Sequence, residues 1–93
     1  MGASGILLIH HKVTDYAQWR PGYDADSPSR DAAGLTNCMV RQSADNMNDV
    51  VVTCDMADLK KAKAFSSSNT LAATMKQFGV IGKPQVLYLL SAK

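Results

Sequence analysis

The chain has 93 residues, of which 46% are hydrophobic and 19% charged, with a formal net charge of +2. That length holds one core of ordinary size and that apolar content exceeds what a disordered chain carries, which excludes disorder, collagen-like and repeat architectures. Apolar runs such as Ile6 to Ile9 fall far short of the roughly 18 residues of a spanning helix, and with 10 Lys and Arg against 8 Asp and Glu no nucleic acid and no membrane is expected as a partner. No secretory pattern opens the chain, so a cytoplasmic location is expected. Residues 1–93 read as one domain, with residues 1–4 as a disordered tail.

Ile6 to Val13 is a β-branched and aliphatic run that reads as a first strand, stopped by Thr14-Asp15. Asp15 is a good helix cap, and Tyr16, Trp19 and Tyr23 follow at helical spacing. A first helix is therefore predicted from Tyr16 to Ala33, ended by Gly34 and kinked or divided by Pro21 and Pro28. Leu35 to Ser43 and Val50 to Met56 read as a hairpin joined by an Asx-rich loop. A five-residue loop sets Val40 opposite Val52 and Cys38 opposite Cys54, which puts Thr36, Cys38, Val40, Val50, Val52, Cys54 and Met56 on the core side. Met39, Arg41, Val51, Thr53 and Asp55 then share the other side, where Arg41 could hold a substrate carboxylate bidentately, an interface salt bridge with Asp55 or Asp49 being the plainer expectation.

Asp58 caps a second helix through Leu59, Ala62 and Phe65; Ser66 to Asn69 interrupts it before Leu71, Met75 and Phe78 resume the apolar stripe, and Gly79 ends it. Gly82-Lys83-Pro84 is predicted to turn, and Gln85 to Leu90 to form the last strand. The order strand, helix, strand, strand, helix, strand implies an α+β, ferredoxin-like βαββαβ fold: a four-stranded antiparallel sheet with two helices on one face. The first and last strands are apolar on both sides, so the uncovered face needs a cover. A second copy supplies it, which makes a homodimer packed sheet to sheet the expected assembly.

Chemistry is carried by fewer residues. His10 and His11 are neighbours on a strand, so they point to opposite faces and do not chelate one metal. His11 shares parity with Leu7, Ile9 and Val13 and belongs on the core side; His10 shares parity with Lys12. A neutral imidazole at His11 could move a proton, with Tyr16, Trp19, Tyr23 and Tyr88 shaping a small-molecule site around it. A core histidine held by one hydrogen bond is the plainer reading. Asp24, Asp26, Arg30 and Asp31 read as solvated charges with no role. Cys38 and Cys54 lack the spacing of a zinc site and read as buried reduced thiols. Nucleotide-binding glycine runs are absent, and no metal or cofactor is expected. The strand aromatics of an RNA-recognition module are missing as well.

His11-Lys12-Val13 leading into Asp15-Tyr16-x-x-Trp19, then Ala33-Gly34-Leu35, Ser43-Ala44-Asp45-Asn46 running into Val50-Val51-Val52, and Asp58-Leu59 to Phe65 ahead of Gly79-Val80, together resemble the dimeric α/β-barrel superfamily. That superfamily includes antibiotic biosynthesis monooxygenase-like, stress-responsive barrel and polyketide-cyclase proteins. The resemblance spans nearly the whole chain and implies a homodimer with a hydrophobic pocket between sheet and helices, often with cofactor-free chemistry on aromatic or polyketide-like compounds. Second-helix histidines common among monooxygenase-like relatives are replaced here by Phe65 and Thr70. The strand histidine and tyrosine of cyclase-like members are matched in residue type by His11 with Tyr16, Tyr23 or Tyr88. Two readings follow. One is a cofactor-independent oxygenase, isomerase or cyclase acting on a small hydrophobic or aromatic ligand through His11; the other is a non-catalytic ligand-binding or interaction module in which His11 is structural.

Overall fold

A computed structural model of the chain describes residues 4–92. The predicted tail over residues 1–4 lies, apart from Ser4, outside the described residues. The chain runs β1 (Gly5–Val13), α1 (Tyr16–Ala25), α2 (Ser27–Ala32), β2 (Leu35–Gln42), β3 (Asp49–Met56), α3 (Leu59–Ser66), α4 (Asn69–Gln77) and β4 (Val80–Leu89). The strands form one antiparallel sheet in the order β2-β3-β1-β4, which is the ferredoxin-like arrangement with each of its two helices broken in two.

Both breaks have local causes. Asp15 starts α1 by accepting the Ala17 N–H at 2.9 Å, and the helix carries Pro21 inside it. It stops at Asp26, where α2 begins with Pro28 in its first turn, a position that has no helical acceptor to lose. Asp58 caps α3 through the Lys61 N–H at 3.2 Å. Ser68 then takes the Leu71 N–H at 3.1 Å, so the serine-rich interruption ends one helix and caps the next.

Alternation along β1 sorts the sheet. Leu7, Ile9, His11 and Val13 are buried beneath the helices, while Ile6 and Lys12 are exposed and Leu8 and His10 half-buried on the far face. Opposite them, β3 buries Val50, Val52, Cys54 and Met56. Trp19, Leu35, Ala33, Ala62 and Leu71 close this side. The far face stays open in the chain, with Ile6, Leu87 and Leu89 each 42% exposed.

Four expectations about the strands are corrected. Thr36 is exposed and Leu35 occupies the core instead, because β2 carries an extra residue between Thr36 and Met39 relative to β3. Asn37 absorbs it in the left-handed region (φ 49), a conformation asparagine tolerates, and donates to Asp55 Oδ2 at 2.9 Å. Gly82-Lys83-Pro84 does not end a turn before the strand: it lies inside β4 as a bulge opposite His11, between the pairs His10–Gln85 and Lys12–Ile81. Gly82 supplies the positive φ of 70° that this bulge requires, and Pro84 sits on an edge strand where its missing donor is harmless. Cys38 and Cys54 are disulfide-bonded, not reduced thiols. The bulge at Asn37 turns Cys38 toward its partner on the neighbouring strand, so the predicted pairing of the two positions holds and the predicted chemical state does not. Among the described residues Arg41 makes no ion pair within the chain; its guanidinium reaches Met39 Sδ, at 3.7 Å, while Asp49 is taken by His10 and Asp55 by Asn37.

Candidate functional site

A cavity of about 60 Å³ lies between the sheet and the helices, with His11, Trp19, Tyr23, Arg30, Phe65 and Phe78 among its walls. Each wall has a separate origin. β1 delivers Leu7, Ile9 and His11 by alternation, β3 adds Val52 and Cys54, α1 and α2 supply the aromatic and charged side, and α3 and α4 supply the apolar roof. Gly22 is required on α1, because a Cβ there would overlap the Phe78 ring. This close approach of α1 to the end of α4 narrows the cavity.

His11 is 5% exposed. Burial lowers its pKa below the ordinary value, because the charged form would lose its water; the imidazole is neutral near pH 7. Its ring stands edge-on to Trp19, centroids 5.3 Å apart. Trp19 in turn stacks on Tyr23 at 5.0 Å and tilts against Tyr16 at 5.8 Å. Among the described residues neither His11 Nδ1 nor the Tyr23 hydroxyl, both buried, has a hydrogen-bond partner. Buried polar atoms are nearly always paired, so two such atoms on one cavity are informative. Burial also pushes the Tyr23 phenol up, keeping it protonated and able to donate.

His11, Trp19 and Tyr23 thus share the cavity, while the other two sequence-predicted residues stand outside it. Tyr16 backs Trp19, takes a hydrogen bond from Arg20 Nη1 at 2.9 Å and is not a wall. Tyr88 faces the core from β4 but is hydrogen-bonded to Ser66 and lines no part of the cavity. His10 occupies the open face, with Nε2 2.5 Å from Asp49 Oδ1.

Two charged residues read as solvated belong to the site instead. Asp26 and Arg30 both line the cavity. Arg30 Cζ lies 3.8 Å from the Tyr23 ring centroid, and Nη1 donates to the Tyr23 carbonyl at 2.8 Å. The signal for this was the Pro28 that starts α2: breaking the helix at Asp26 turns Arg30 back over α1, which helical spacing from Tyr16 alone does not reveal. Among the described residues no group of three His, Cys, Asp or Glu side chains is placed to hold a metal, and no helix is long and apolar enough to cross a membrane.

No family model matches the sequence, and no curated protein matches it. Solved structures do match in fold. An antibiotic biosynthesis monooxygenase candidate from Bordetella bronchiseptica superposes with a TM-score of 0.77 at 15% identity, covering 100% of both chains. A second such candidate, from Caulobacter crescentus, gives 0.74 at 14% identity over 99% of this chain and 92% of that one. SnoaB, a cofactor-independent oxygenase from Streptomyces nogalater, gives 0.69 at 8% identity over 96% of this chain and 95% of that one. The chain is therefore similar to antibiotic biosynthesis monooxygenase-like proteins in its whole fold, as the motifs implied.

Proposed function

We propose that this chain binds a small hydrophobic or aromatic molecule in the cavity beneath its helices and moves a proton on it with His11, without a cofactor. The observation that carries this reading is the pair of unsatisfied buried polar atoms, His11 Nδ1 and Tyr23 Oη, on the walls of one apolar cavity. A neutral imidazole accepts a proton and a protonated phenol donates a hydrogen bond, so together they fit an enolisable or phenolic ligand. Trp19 orders both by packing between them, while Tyr16 and Tyr88 act from outside the cavity, through Trp19 and Ser66. The fold shared with a cofactor-independent oxygenase supports an oxygenase first, in which dioxygen from solution would be the oxidant of the ligand anion left by proton removal; isomerisation or cyclisation would begin with the same proton transfer and need no oxidant.

The cavity volume of about 60 Å³ favours a second reading, a non-catalytic binding or interaction module, because ligand sites typically span roughly 300–1,000 Å³. Proton exchange separates the two. Enolisable aryl ketones incubated with the protein in D₂O should exchange their acidic C–H faster than with buffer alone, and His11→Gln should remove about 10²-fold of that acceleration. Equal exchange with wild type and His11→Gln would establish the non-catalytic reading.

The assembly that fits this function is a homodimer closed through the open sheet face, where Ile6, Leu87 and Leu89 remain exposed. We place the protein in the cytoplasm, where thiol systems keep most disulfides open. The Cys38–Cys54 bridge would be an exception to that rule, and recovery of the protein outside the cytoplasmic fraction of living cells would contradict the location.

A further inference from the structure

We propose that Arg30 is an anion subsite at the edge of the cavity, and that the ligand is accordingly a small aromatic acid whose carboxylate meets this guanidinium. The inference rests on the reading of the cavity as a ligand site and goes beyond it by assigning the ligand's charge.

Two arginines approach the Tyr23 ring, and they differ in their partners. Arg20 Cζ is 5.6 Å from the ring centroid; its Nε donates to Asp24 Oδ1 at 2.9 Å and its Nη1 to the Tyr16 hydroxyl at 2.9 Å. Its charge is matched by Asp24, and two of its five N–H donors are taken. Arg30 lies closer, at 3.8 Å, and among the described residues its one hydrogen bond runs from Nη1 to the Tyr23 carbonyl at 2.8 Å. Among the described residues no carboxylate lies within ion-pair distance of it. A guanidinium carries five N–H donors in a planar fork suited to a carboxylate. Stacking on Tyr23 fixes that plane and the carbonyl fixes one edge, which leaves the remaining donors oriented and unfilled.

Position completes the argument. Arg30 borders the inner cavity and also an outer groove of about 330 Å³, which it shares with Arg20, Asp24 and Asp31. A ligand whose ring enters beside Trp19 would leave its acid at this boundary, where half-burial strengthens a charge-assisted hydrogen bond. The neighbouring acids sharpen the placement. Asp24 is committed to Arg20, while Asp26 in the cavity wall and Asp31 in the groove oppose an anion in their neighbourhood, which leaves the Arg30 guanidinium as the group that would hold one.

The chain has one tryptophan, and Trp19 lines the cavity, so its fluorescence reports occupancy directly. Titration with phenylacetate and with phenylacetamide, matched in ring and size and differing in charge, should show the acid binding about tenfold more tightly. Arg30→Gln should abolish that preference while leaving the amide's affinity unchanged, and Arg30→Lys should keep part of it. Asp26→Asn, which leaves Arg30 in place, should tighten the acid and not the amide. Equal binding of acid and amide to the wild type, or a preference that survives Arg30→Gln, would overturn the anion subsite while leaving a ligand cavity intact. Failure of both compounds to perturb Trp19 would overturn the cavity reading and this subsite with it.

Discussion

The two faces of the sheet are built from the same strands and have opposite fates. Beneath the helices, Leu7 is 1% exposed and its neighbours on β1 and β3 are packed; across the sheet, Leu87 and Leu89 are each 42% exposed. In a sheet with one wet face, alternation normally places polar residues opposite the core. Here β1 and β4 keep aliphatic side chains on both sides, while β2 and β3 carry Met39, Arg41, Thr53 and Asp55 outward. The apolar part of the open face is therefore concentrated on the β1–β4 half, where Ile6 faces Leu89 and Leu8 faces Leu87. A face that spends aliphatic residues on solvent points to a covering surface, whereas a face that buries two unpaired polar atoms points to a ligand.

Matched substitutions on the two faces test that contrast most strongly. Leu7→Ala should cost about 2–5 kcal/mol of folding stability at every protein concentration, measured by denaturant unfolding. Leu87→Asp should leave the unfolding of the separated chain nearly unchanged and instead convert a two-chain species to one chain in sedimentation. A Leu87→Asp protein that still sediments as two chains would place the partner surface elsewhere.

The disulfide comes next in size. Cys38 and Cys54 are 16 residues apart, and closing a loop of that length stabilises by about 3 kcal/mol in the chain-entropy account. The double variant Cys38→Ser, Cys54→Ser should lose roughly that amount, and reducing the wild type with dithiothreitol should reproduce the loss. No change on reduction would mean that the two strands hold their register without the bridge.

A smaller effect is expected at the start of α1. Asp15→Ala removes the acceptor of the Ala17 N–H and should cost about 1 kcal/mol, with the Trp19–Tyr23 stack loosened in near-ultraviolet circular dichroism.

Acid titration should give the mildest signal. Because burial lowers the folded pKa of His11 below the unfolded value of 6.5, the unfolded chain binds more protons in the window below pH 6.5. Stability is complete above that pH and falls as pH drops toward the folded pKa. His11→Gln should flatten the dependence of the melting temperature on pH below 6.5; an unaltered slope would assign the acid sensitivity to other groups.

Much of this contrast was legible in the residues. Parity along Ile6 to Val13 separated His11 from His10 correctly, since a strand admits only two faces and Leu7, Ile9 and Val13 chose one of them. The serine-rich break before Leu71 and the prolines of the first helix were visible for similar reasons: each residue type acts through its own backbone chemistry. What escaped depended on contacts that no local pattern encodes. Asn37 reads as an ordinary strand residue until β3 supplies the register that makes it a bulge, and with that bulge Thr36 leaves the core. Arg30 reads as a surface charge until α2 folds back and sets it on Tyr23. The facing of Cys38 and Cys54 was legible from the hairpin, whereas their oxidation depends on how closely two strands hold the sulfurs, a distance that spacing does not specify.

Native mass spectrometry of gently purified protein tests the central claim, one face for a second copy and the other for a ligand, in a single spectrum. The account predicts a species of twice the 10.0 kDa chain mass carrying a retained small molecule that Leu71→Trp, which fills the cavity, excludes. A bare single chain at micromolar concentration, unchanged by that substitution, would contradict both halves of it.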